Sequence, residues 1–446
     1  MKHALILTSL IILSCLSLSA CSGGDDENKP RMQGERISIL DLEKEIQPIE
    51  QTQDTANSIK VPETILNASW PQSGGNAQHI LGNLSLGTGE TQTIEKIWSA
   101  DIGRGNTKRI PLNAQPIVAD GRVFTLDTNN RLSAFHDQTG KLLWQKDVGR
   151  INEKENVING GLAYDNGALY VASGYNEILA LNPETSEIYW RTTLKAGSRA
   201  APTILNGRVF VNTLNNELVA LNAQTGEILW NYEGTEETTA LLGAAAPTAD
   251  DQIVVAAFST GDLVALRVEN GSTVWEDNLA NRLRFGGMSG LSDIRALPVI
   301  AGQRVIAASY GGKMAAFDKN NGDRLWQQNI GSGHTPWVVG NTAYVLTTDY
   351  KLIALDITNG QVLWLSALDL YQNMKKRKNP LTWVGPIMAN GHLVTMSTNG
   401  QFAEFDPKTG QKIREIRTGK NASLSPILAN GTLFILDDNG KLSAYR

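Results

Sequence analysis

Cysteine and histidine are the side chains best suited to metal binding and covalent catalysis, and this 446-residue chain has two cysteines and five histidines. Cys15 lies in an apolar N-terminal stretch, and Cys21 lies just after it. A single cysteine beyond that stretch permits neither an internal disulfide nor a thiolate pair for a metal ion. The histidines after residue 3 stand singly, without metal-ligand spacing, at His79, His136, His334 and His392. We therefore predict no catalytic residue and no metal site.

The surroundings of Cys21 indicate export and acylation. The apolar stretch Ala4–Leu18 is too short to span a bilayer and is followed by Ser19-Ala20-Cys21. This order of residues resembles the bacterial lipobox, in which the cysteine is acylated and becomes the first residue of the mature chain; the alternative is an ordinary signal peptide. We predict a signal peptide over residues 1–20 and a lipid anchor on Cys21. Ser22, not Asp, follows the cysteine, and by resemblance to enterobacterial lipoproteins this implies the outer membrane, facing the periplasm.

Charge and composition divide the mature chain into two parts. The formal net charge of −5 argues against nucleic-acid binding, which requires a basic stripe. Residues 21–67 are polar and charged without strand periodicity, which is typical of a flexible tether. We predict that residues 68–446 form the folded domain.

A repeated unit occupies the chain from about Trp98 onward. One clean copy, Ala201–Trp230, contains four short stretches of alternating apolar residues separated by Gly, Asn and Asp turn signals. Its segment Asn222–Gly226 has the form of a hairpin loop whose glycine takes the left-handed conformation. Such units are typical of propeller blades. We predict an all-β fold, an eight-bladed β-propeller of four-stranded antiparallel blades, with an open β-solenoid as the competing architecture.

The ends of the repeats predict how the ring closes. Six units end on a strand that carries tryptophan, at Trp144, Trp190, Trp230, Trp275, Trp326 and Trp364. The seventh has Arg414 at that position, and the eighth stops at Arg446 before its last strand. The stretch around Trp98 matches the missing strand. We therefore predict that an N-terminal strand completes the last blade, which leaves no long exposed sheet edge.

The recurring tryptophans, including Trp98, are interpreted as structural. A single ligand site would not require the same residue in nearly every unit, whereas an indole wedged between blades buries a large apolar area while its N–H bonds to the backbone. Trp337 and Trp383 lie outside the repeated position. They are the one hint of a third function, a binder of cell-envelope sugar or peptidoglycan.

The repeats resemble the tryptophan-docking repeats of quinoprotein dehydrogenases, which bind pyrroloquinoline quinone (PQQ) with calcium. This resemblance implies the main alternative function, a PQQ-dependent oxidoreductase. Those enzymes generally add a vicinal disulfide, calcium-binding acids and a catalytic Asp, and the disulfide is impossible here because Cys21 is the one cysteine after the signal. The Asp and Asn residues of the repeats sit mostly at hairpin positions, where turns explain them. We predict a binding protein without a cofactor.

Two connections between consecutive repeats are apolar, unlike most loops, and we expect them side by side on one face. Apolar side chains beside Arg and Asp are typical of protein interfaces; the alternative is that the leucines fold back and cap the ring. The interface residues that we predict are Leu241, Leu242, Leu291, Ser292, Asp293 and Arg295. A later insertion carries the basic run Lys375–Lys378, interpreted as a solvated loop, with contact to anionic lipid as the alternative.

The lipobox, the tether, the eight-unit ring and the Leu291-Ser292-Asp293 connection together resemble the BamB family of outer-membrane protein assembly factors. The resemblance covers essentially the whole mature chain, and Trp70–Asn76 resembles the lead-in to the propeller. It implies a lipoprotein scaffold of the β-barrel assembly machinery. The implied partners are the periplasmic POTRA domains of the barrel subunit BamA, other Bam components and nascent outer-membrane proteins.

The same resemblance implies where the partner binds. Carried over by position, Leu241 matches an apolar contact of the family and Asp293 matches the first of two acids. Leu242 stands where the family has Arg, and Arg295 stands where it has the second Asp. The resemblance therefore implies the location of the interface but not its ion pairs.

Overall fold

The computed structural model describes residues 48, 58–87, 94–149, 157–236, 241, 243–280, 292–417 and 421–446. The chain separates into two units, Met1–Glu45 and Ile46–Arg446. The predicted signal peptide, Cys21 and most of the predicted tether lie outside the described residues. Within those residues, no helix is long and apolar enough to cross a membrane.

The described residues form 34 β-strands, and all but two of these build eight four-stranded sheets, the blades. Blades 1 and 2 contain β2 (Ile117–Ala119), β3 (Arg122–Leu126), β4 (Arg131–His136) and β5 (Leu142–Asp147), then β6 (Gly161–Asp165), β7 (Ala168–Ser173), β8 (Glu177–Leu181) and β9 (Ile188–Thr193). Blades 3 and 4 contain β10 (Thr203–Leu205), β11 (Arg208–Asn212), β12 (Glu217–Asn222) and β13 (Ile228–Glu233), then β14 (Thr248–Ala249), β15 (Ile253–Ala257), β16 (Asp262–Arg267) and β17 (Thr273–Asn278).

Blades 5 and 6 contain β18 (Val299–Ala301), β19 (Arg304–Ala308), β20 (Met314–Asp318) and β21 (Arg324–Gln328), then β22 (Trp337–Val339), β23 (Thr342–Leu346), β24 (Lys351–Asp356) and β25 (Val362–Ala367). The two strands outside the blades are β26 (Tyr371–Asn373) and β27 (Lys378–Pro380), which form a hairpin. Blade 7 contains β28 (Trp383–Ala389), β29 (His392–Ser397), β30 (Gln401–Phe405) and β31 (Lys412–Arg417). Blade 8 contains β32 (Ile427–Ala429), β33 (Thr432–Leu436), β34 (Lys441–Tyr445) and β1 (Lys96–Asp101).

Each blade is an antiparallel meander whose first strand lies nearest the ring axis. In blade 3 the strands β11 and β12 are almost entirely buried, because neighbouring blades pack on both faces of the sheet. The outer strand β13 alternates between exposed and half-buried residues, as expected at the circumference. The hairpin before β13 contains Gly226 at a φ of +74°, which is the left-handed conformation that the sequence predicted.

The N-terminal strand β1 closes the ring, as predicted. It pairs antiparallel with β34, and Trp98 lies opposite Ala444. Glu95 and Arg446 exchange two backbone hydrogen bonds of 2.6 and 2.9 Å beside this pair. The Arg446 guanidinium also donates to Gln138 Oε1 of blade 1 at 2.7 Å, so the C-terminal residue joins the last blade to the first. The open solenoid is therefore wrong.

The repeated tryptophans each join one blade to the next. Every indole Nε1–H donates to a backbone carbonyl in the hairpin between the third and fourth strands of the following blade, at 2.8–3.1 Å. The pairs are Trp98–Asp137, Trp144–Pro183, Trp190–Ala223, Trp230–Val268, Trp275–Lys319, Trp326–Ile357 and Trp364–Pro407. The hairpin glycine leaves room for the indole. On Gly322, for example, a Cβ atom would lie 2.6 Å from Trp275, so a larger residue would clash there.

The ring topology explains why blade 7 carries Arg414 instead of tryptophan. In blade 8 the third strand ends at the C-terminus and the fourth comes from the N-terminal side, so no hairpin joins them. An indole on blade 7 would have no such hairpin to enter. Arg414 instead forms an ion pair with the buried Glu404 of its own blade, at 2.7 Å.

A segment ahead of the first blade, Asn67–Gly87, runs around the inside of the ring; we call it the inner segment. It bonds to blade 1 through Trp70 and Val118, to blade 2 through Pro71 and Tyr164, and to blade 3 through Gln72 and Ile204. It continues with Ala77 to Ala249 of blade 4, Gln78 to Ile300 of blade 5 and Gly82 to the indole of Trp337 of blade 6. It ends with Leu84 on Asn390 of blade 7 and Gly87 on Gly431 of blade 8. All eight blades therefore form hydrogen bonds with this one short segment, blade 3 through the side chain of Gln72.

The folded part begins earlier than the predicted boundary between residues 67 and 68. Ile59 is 1% exposed and packs with the core of blades 6 and 7. Ile65 pairs with Leu84, and the side chain of Asn67 donates to Leu428 O at 3.0 Å. The folded domain therefore begins before residue 68, because Ile59, Ile65 and Asn67 pack on or bond to the propeller.

Candidate functional site

The connections between blades all lie on one face of the ring, which we call the connection face. Four antiparallel strands return the chain to the face from which the inner strand started, so the next blade must begin there. The turns between second and third strands, such as residues 213–216, lie on the same face. Both predicted interface connections, between β13 and β14 and between β17 and β18, are therefore on the connection face.

The structure joins these two connections directly. The Leu241 backbone N–H donates to Asp293 Oδ1 at 3.0 Å, although the two residues are 52 positions apart. Asp293 is 5% exposed, and its own carbonyl accepts a hydrogen bond of 2.9 Å from Tyr310 N. The carboxylate predicted as a partner contact thus holds one connection against the other, and the half-buried Leu241 side chain is positioned by that bond.

The remaining predicted interface residues are divided between loop and shaft. Ser292 is half-buried next to Asp293, while Leu242 and Leu291 lie outside the described residues. Arg295 is exposed, but to the central shaft of the ring, where it lines a cavity of about 170 Å³. A Cβ on Gly243 would lie 3.3 Å from Arg295 Nε, so the first connection passes close to this guanidinium.

The central cavity is built by the inner segment and by residues that precede the inner strands. Trp70 and His79 come from the inner segment, and Arg295, His334 and Trp337 come from the ring. Trp70 and Trp337 stack with ring centroids 6.3 Å apart. Burial, and then the positive charge of Arg295, lower the pKa of His334 to about 4. At neutral pH the cavity therefore contains uncharged imidazoles beside a guanidinium.

His79 has a defined tautomer. Its Nδ1 lies 2.7 Å from Pro298 O, and because a carbonyl only accepts, Nδ1 carries the proton. Nε2 then has a free lone pair and no hydrogen-bond partner within the described part of the chain. The ring is 5% exposed, and this burial lowers the pKa of His79 to about 4. The hydrogen bond to Pro298 opposes that shift.

This burial predicts a loss of stability in mild acid. The unfolded chain binds a proton at His79 below pH 6.5, the folded chain only near pH 4, so the free energy of unfolding falls as pH falls between these values. We expect His79 to contribute about 2 kcal/mol of the drop between pH 7.5 and 5.0. His79→Asn keeps a donor toward Pro298 and tolerates the local φ of +59°, and should remove that contribution.

Urea unfolding at the two pH values measures this effect. His136→Asn, at an exposed position, is the matched control and should retain the full drop. An equal drop in His79→Asn and the wild-type chain would show that the imidazole is not held neutral by the fold.

The other side chains that the sequence singled out have structural contacts. Trp383 Nε1–H donates to Asp369 O and Trp337 Nε1–H to Gly82 O, at 2.8 and 2.9 Å. Trp383 is 3% exposed and Trp337 is half-buried against Trp70, so these two rings do not form an exposed aromatic pair. Lys375–Lys378 is exposed, in agreement with the interpretation as a solvated loop; it forms the turn and the first residue of the second strand of the β26–β27 hairpin. No group of three or more metal-ligating side chains occurs among the described residues.

A comparison with protein families identifies the chain. The family model described as outer membrane protein assembly factor BamB matches residues 88–154 and 128–366, together more than half of the sequence. The chain belongs to the BamB family. BamB of Escherichia coli K12 is 27% identical over 176 residues, covering 40% of this chain and 43% of that protein. BamB of Yersinia pestis is 26% identical over 186 residues, covering 42% of this chain and 45% of that protein. The chain thus matches less than half the length of these curated relatives.

Solved structures agree on the fold. BamB from Moraxella catarrhalis superposes with a TM-score of 0.67 at 20% identity, covering 79% of this chain and 100% of that one. The quinohemoprotein alcohol dehydrogenase of Comamonas testosteroni gives a TM-score of 0.62 at 13% identity, covering 88% and 83%. At these identities the likeness shows the propeller alone, which BamB proteins and quinoproteins share.

Proposed function

We propose that this chain is a non-catalytic, lipid-anchored scaffold of the outer-membrane β-barrel assembly machinery. Its partner would be the POTRA domains of a BamA-type subunit, with other Bam components and nascent outer-membrane proteins as further partners. The anchor would be acylated Cys21, and the scaffold would face the periplasm from the outer membrane. Membership of the BamB family supports the assembly role over the quinoprotein alternative.

The observation that carries the docking surface is the hydrogen bond between Leu241 and Asp293. It holds the connection from blade 3 to blade 4 against the connection from blade 4 to blade 5. Apolar residues contribute most to binding affinity when the loops that present them are already ordered, because less conformational entropy is then lost on association. We propose that the tied loops present Leu241, Leu242 and Leu291 to the partner, with Ser292 and Arg295 beside them, and that Asp293 positions them from within.

Co-purification of the BamA-type subunit after mild detergent extraction tests the surface. Leu241→Asp is expected to reduce retention of that subunit at least tenfold, because a charge would have to be desolvated at an apolar contact. Leu325→Asp is the matched control: that leucine is 45% exposed on the outer strand of blade 5, away from the connection face. It should retain the partner as the wild-type chain does.

Two further variants separate contact from positioning. Asp293→Asn keeps an acceptor for the Leu241 N–H and should retain the partner, whereas Asp293→Ala frees the two connections and should weaken retention. Thermal unfolding of each variant shows whether the ring remains folded. Full retention by a folded Leu241→Asp protein would place the docking surface elsewhere.

A further inference from the structure

A second surface lies on the connection face, beside blades 1 to 3. It is a cleft of about 740 Å³ whose walls come from the loop after β1, the connections before β6 and β10, and two turns between second and third strands. Its most prominent lining side chains are Arg104, Lys108, Arg109, Arg199, Ile110 and Leu214. The lining residues that the structure describes include no Asp or Glu. Four cations therefore surround one opening in a chain of net charge −5.

The backbone that carries these cations is held in place. Lys108 and Arg109 lie at the tip of a turn in which the Thr107 hydroxyl accepts from Ile110 N at 2.9 Å and donates to Ile110 O at 3.1 Å. The Arg104 N–H donates to the carboxylate of Asp127 at 2.8 Å. The Arg199 carbonyl accepts from Asn113 Nδ2 at 2.8 Å. Binding here would therefore order few additional backbone groups.

The positive charge of the cleft has no internal counterpart in the part of the chain that the structure describes. No ion pair there involves Arg104, Lys108, Arg109 or Arg199. The acid beside this loop, Asp127, is 2% exposed, and its oxygens accept backbone N–H groups of Arg104, Asn129 and Arg131. A ligand that brings carboxylates would meet cationic groups that form no ion pair with any described residue, and guanidinium groups bind carboxylates in a bidentate manner.

Aliphatic side chains are interleaved with these cations. Ile110 is half-buried next to Arg109, and Leu214 is 36% exposed at the opposite wall. Three of the four cations come from the loop after β1, whereas Val157, Ile158 and Leu214 line the cleft from blades 2 and 3. An extended peptide that alternates acidic and apolar residues directs its acids to one side and its apolar side chains to the other, so in a cleft it can meet both. A lipid would need enclosed space for acyl chains, but here the aliphatic groups stand half-exposed on the walls of an open cleft.

We propose that this cleft binds an extended protein segment of alternating acidic and apolar residues. The site is separate from the docking surface at Leu241 and Asp293, and it does not depend on the identity of the partner bound there. Both surfaces share the connection face, so a scaffold docked through one could hold a second polypeptide at the other.

Fluorescence anisotropy with the full mature chain tests the proposal. The probe is a fluorescein-labelled twelve-residue peptide that alternates glutamate and leucine; the comparison peptides alternate lysine and leucine, or contain glutamate alone. We expect the glutamate–leucine peptide to bind most tightly and the lysine–leucine peptide not to bind. Lys108→Glu with Arg109→Glu, both exposed positions, should weaken binding at least tenfold, and Leu214→Ser should weaken it without any change of charge.

The matched control carries the same change of charge elsewhere on the connection face. Lys375→Glu with Lys376→Glu, on the exposed β26–β27 hairpin, should leave peptide binding unchanged, and so should Leu241→Asp. The proposal would be overturned if the hairpin variant weakened binding equally, or if the glutamate-only peptide bound equally well. Either result would mean that net charge alone explains the binding. The proposal would also be overturned, in favour of a lipid site, if phosphatidylglycerol vesicles bound more tightly than the peptide and lost that binding in the variant of Lys108 and Arg109.

Discussion

Replacing Trp98 with alanine is expected to lower the free energy of unfolding by about 3–5 kcal/mol, as for other large buried aromatic side chains. Trp98 is 9% exposed, and its Nε1–H donates to Asp137 O at 2.9 Å. It is the repeated tryptophan that joins blade 8 to blade 1. Its loss therefore opens a cavity and also weakens the closure of the ring. Urea unfolding followed by circular dichroism measures the change.

Ile97→Ala is the matched control for this variant. Ile97 lies next to Trp98 on the same strand, but its side chain is 43% exposed on the outer surface. Its removal should cost less than about 1 kcal/mol, as is usual for exposed positions. Similar losses in the two variants would contradict the role of the indole in closing the ring.

Replacing Trp70 with alanine is expected to have an effect of similar size, about 3–5 kcal/mol, for a different reason. Trp70 is 2% exposed, and its backbone exchanges hydrogen bonds of 2.7 and 2.8 Å with Val118 of blade 1. Its ring stacks on Trp337 of blade 6, so one side chain bridges two blades across the shaft. Truncation would loosen the inner segment where it enters the ring, and urea unfolding would measure the loss.

Two companion variants sharpen this test. The Trp70 indole N–H is buried without a hydrogen-bond partner among the described residues, so Trp70→Phe keeps an aromatic ring and removes an unsatisfied donor. It should recover most of the stability lost in the alanine variant. Leu66→Ala, at a residue 64% exposed just before the inner segment, should leave stability almost unchanged. A Trp70→Phe protein as unstable as Trp70→Ala would show that the ring stacking is not what holds the segment.

The connection face brings together the loops that we propose as the docking surface and the basic cleft. The loop that contains Leu241 continues to Ala244, whose N–H donates to Arg199 O at 3.3 Å, and Arg199 is one of the cleft cations. The opposite face carries the hairpins between third and fourth strands, against which the repeated tryptophans pack. The connection face is therefore the one on which we propose that partners bind.

The blades, their number and the closing strand were predictable from the sequence because their signals are local and repeated. Gly226 and Trp230 lie a few residues apart in one hairpin, and the same spacing recurs around the ring. Even the exception at Arg414 was visible in the sequence. Its reason was not, because it depends on blade 8 being assembled from both ends of the chain.

The tertiary structure alone decided the features that depend on distant residues. Leu241 and Asp293 are 52 positions apart, and His79 and Pro298 are 219 apart. The inner segment has no strand periodicity because it bonds in turn to eight separate blades, each through only a few hydrogen bonds. Closure of the ring brings these groups together. The burial of His79, its uncharged state and the cluster of cations at the cleft all depend on that closure. Local pattern thus determined the repeating unit, and the geometry of the closed circle determined its sites.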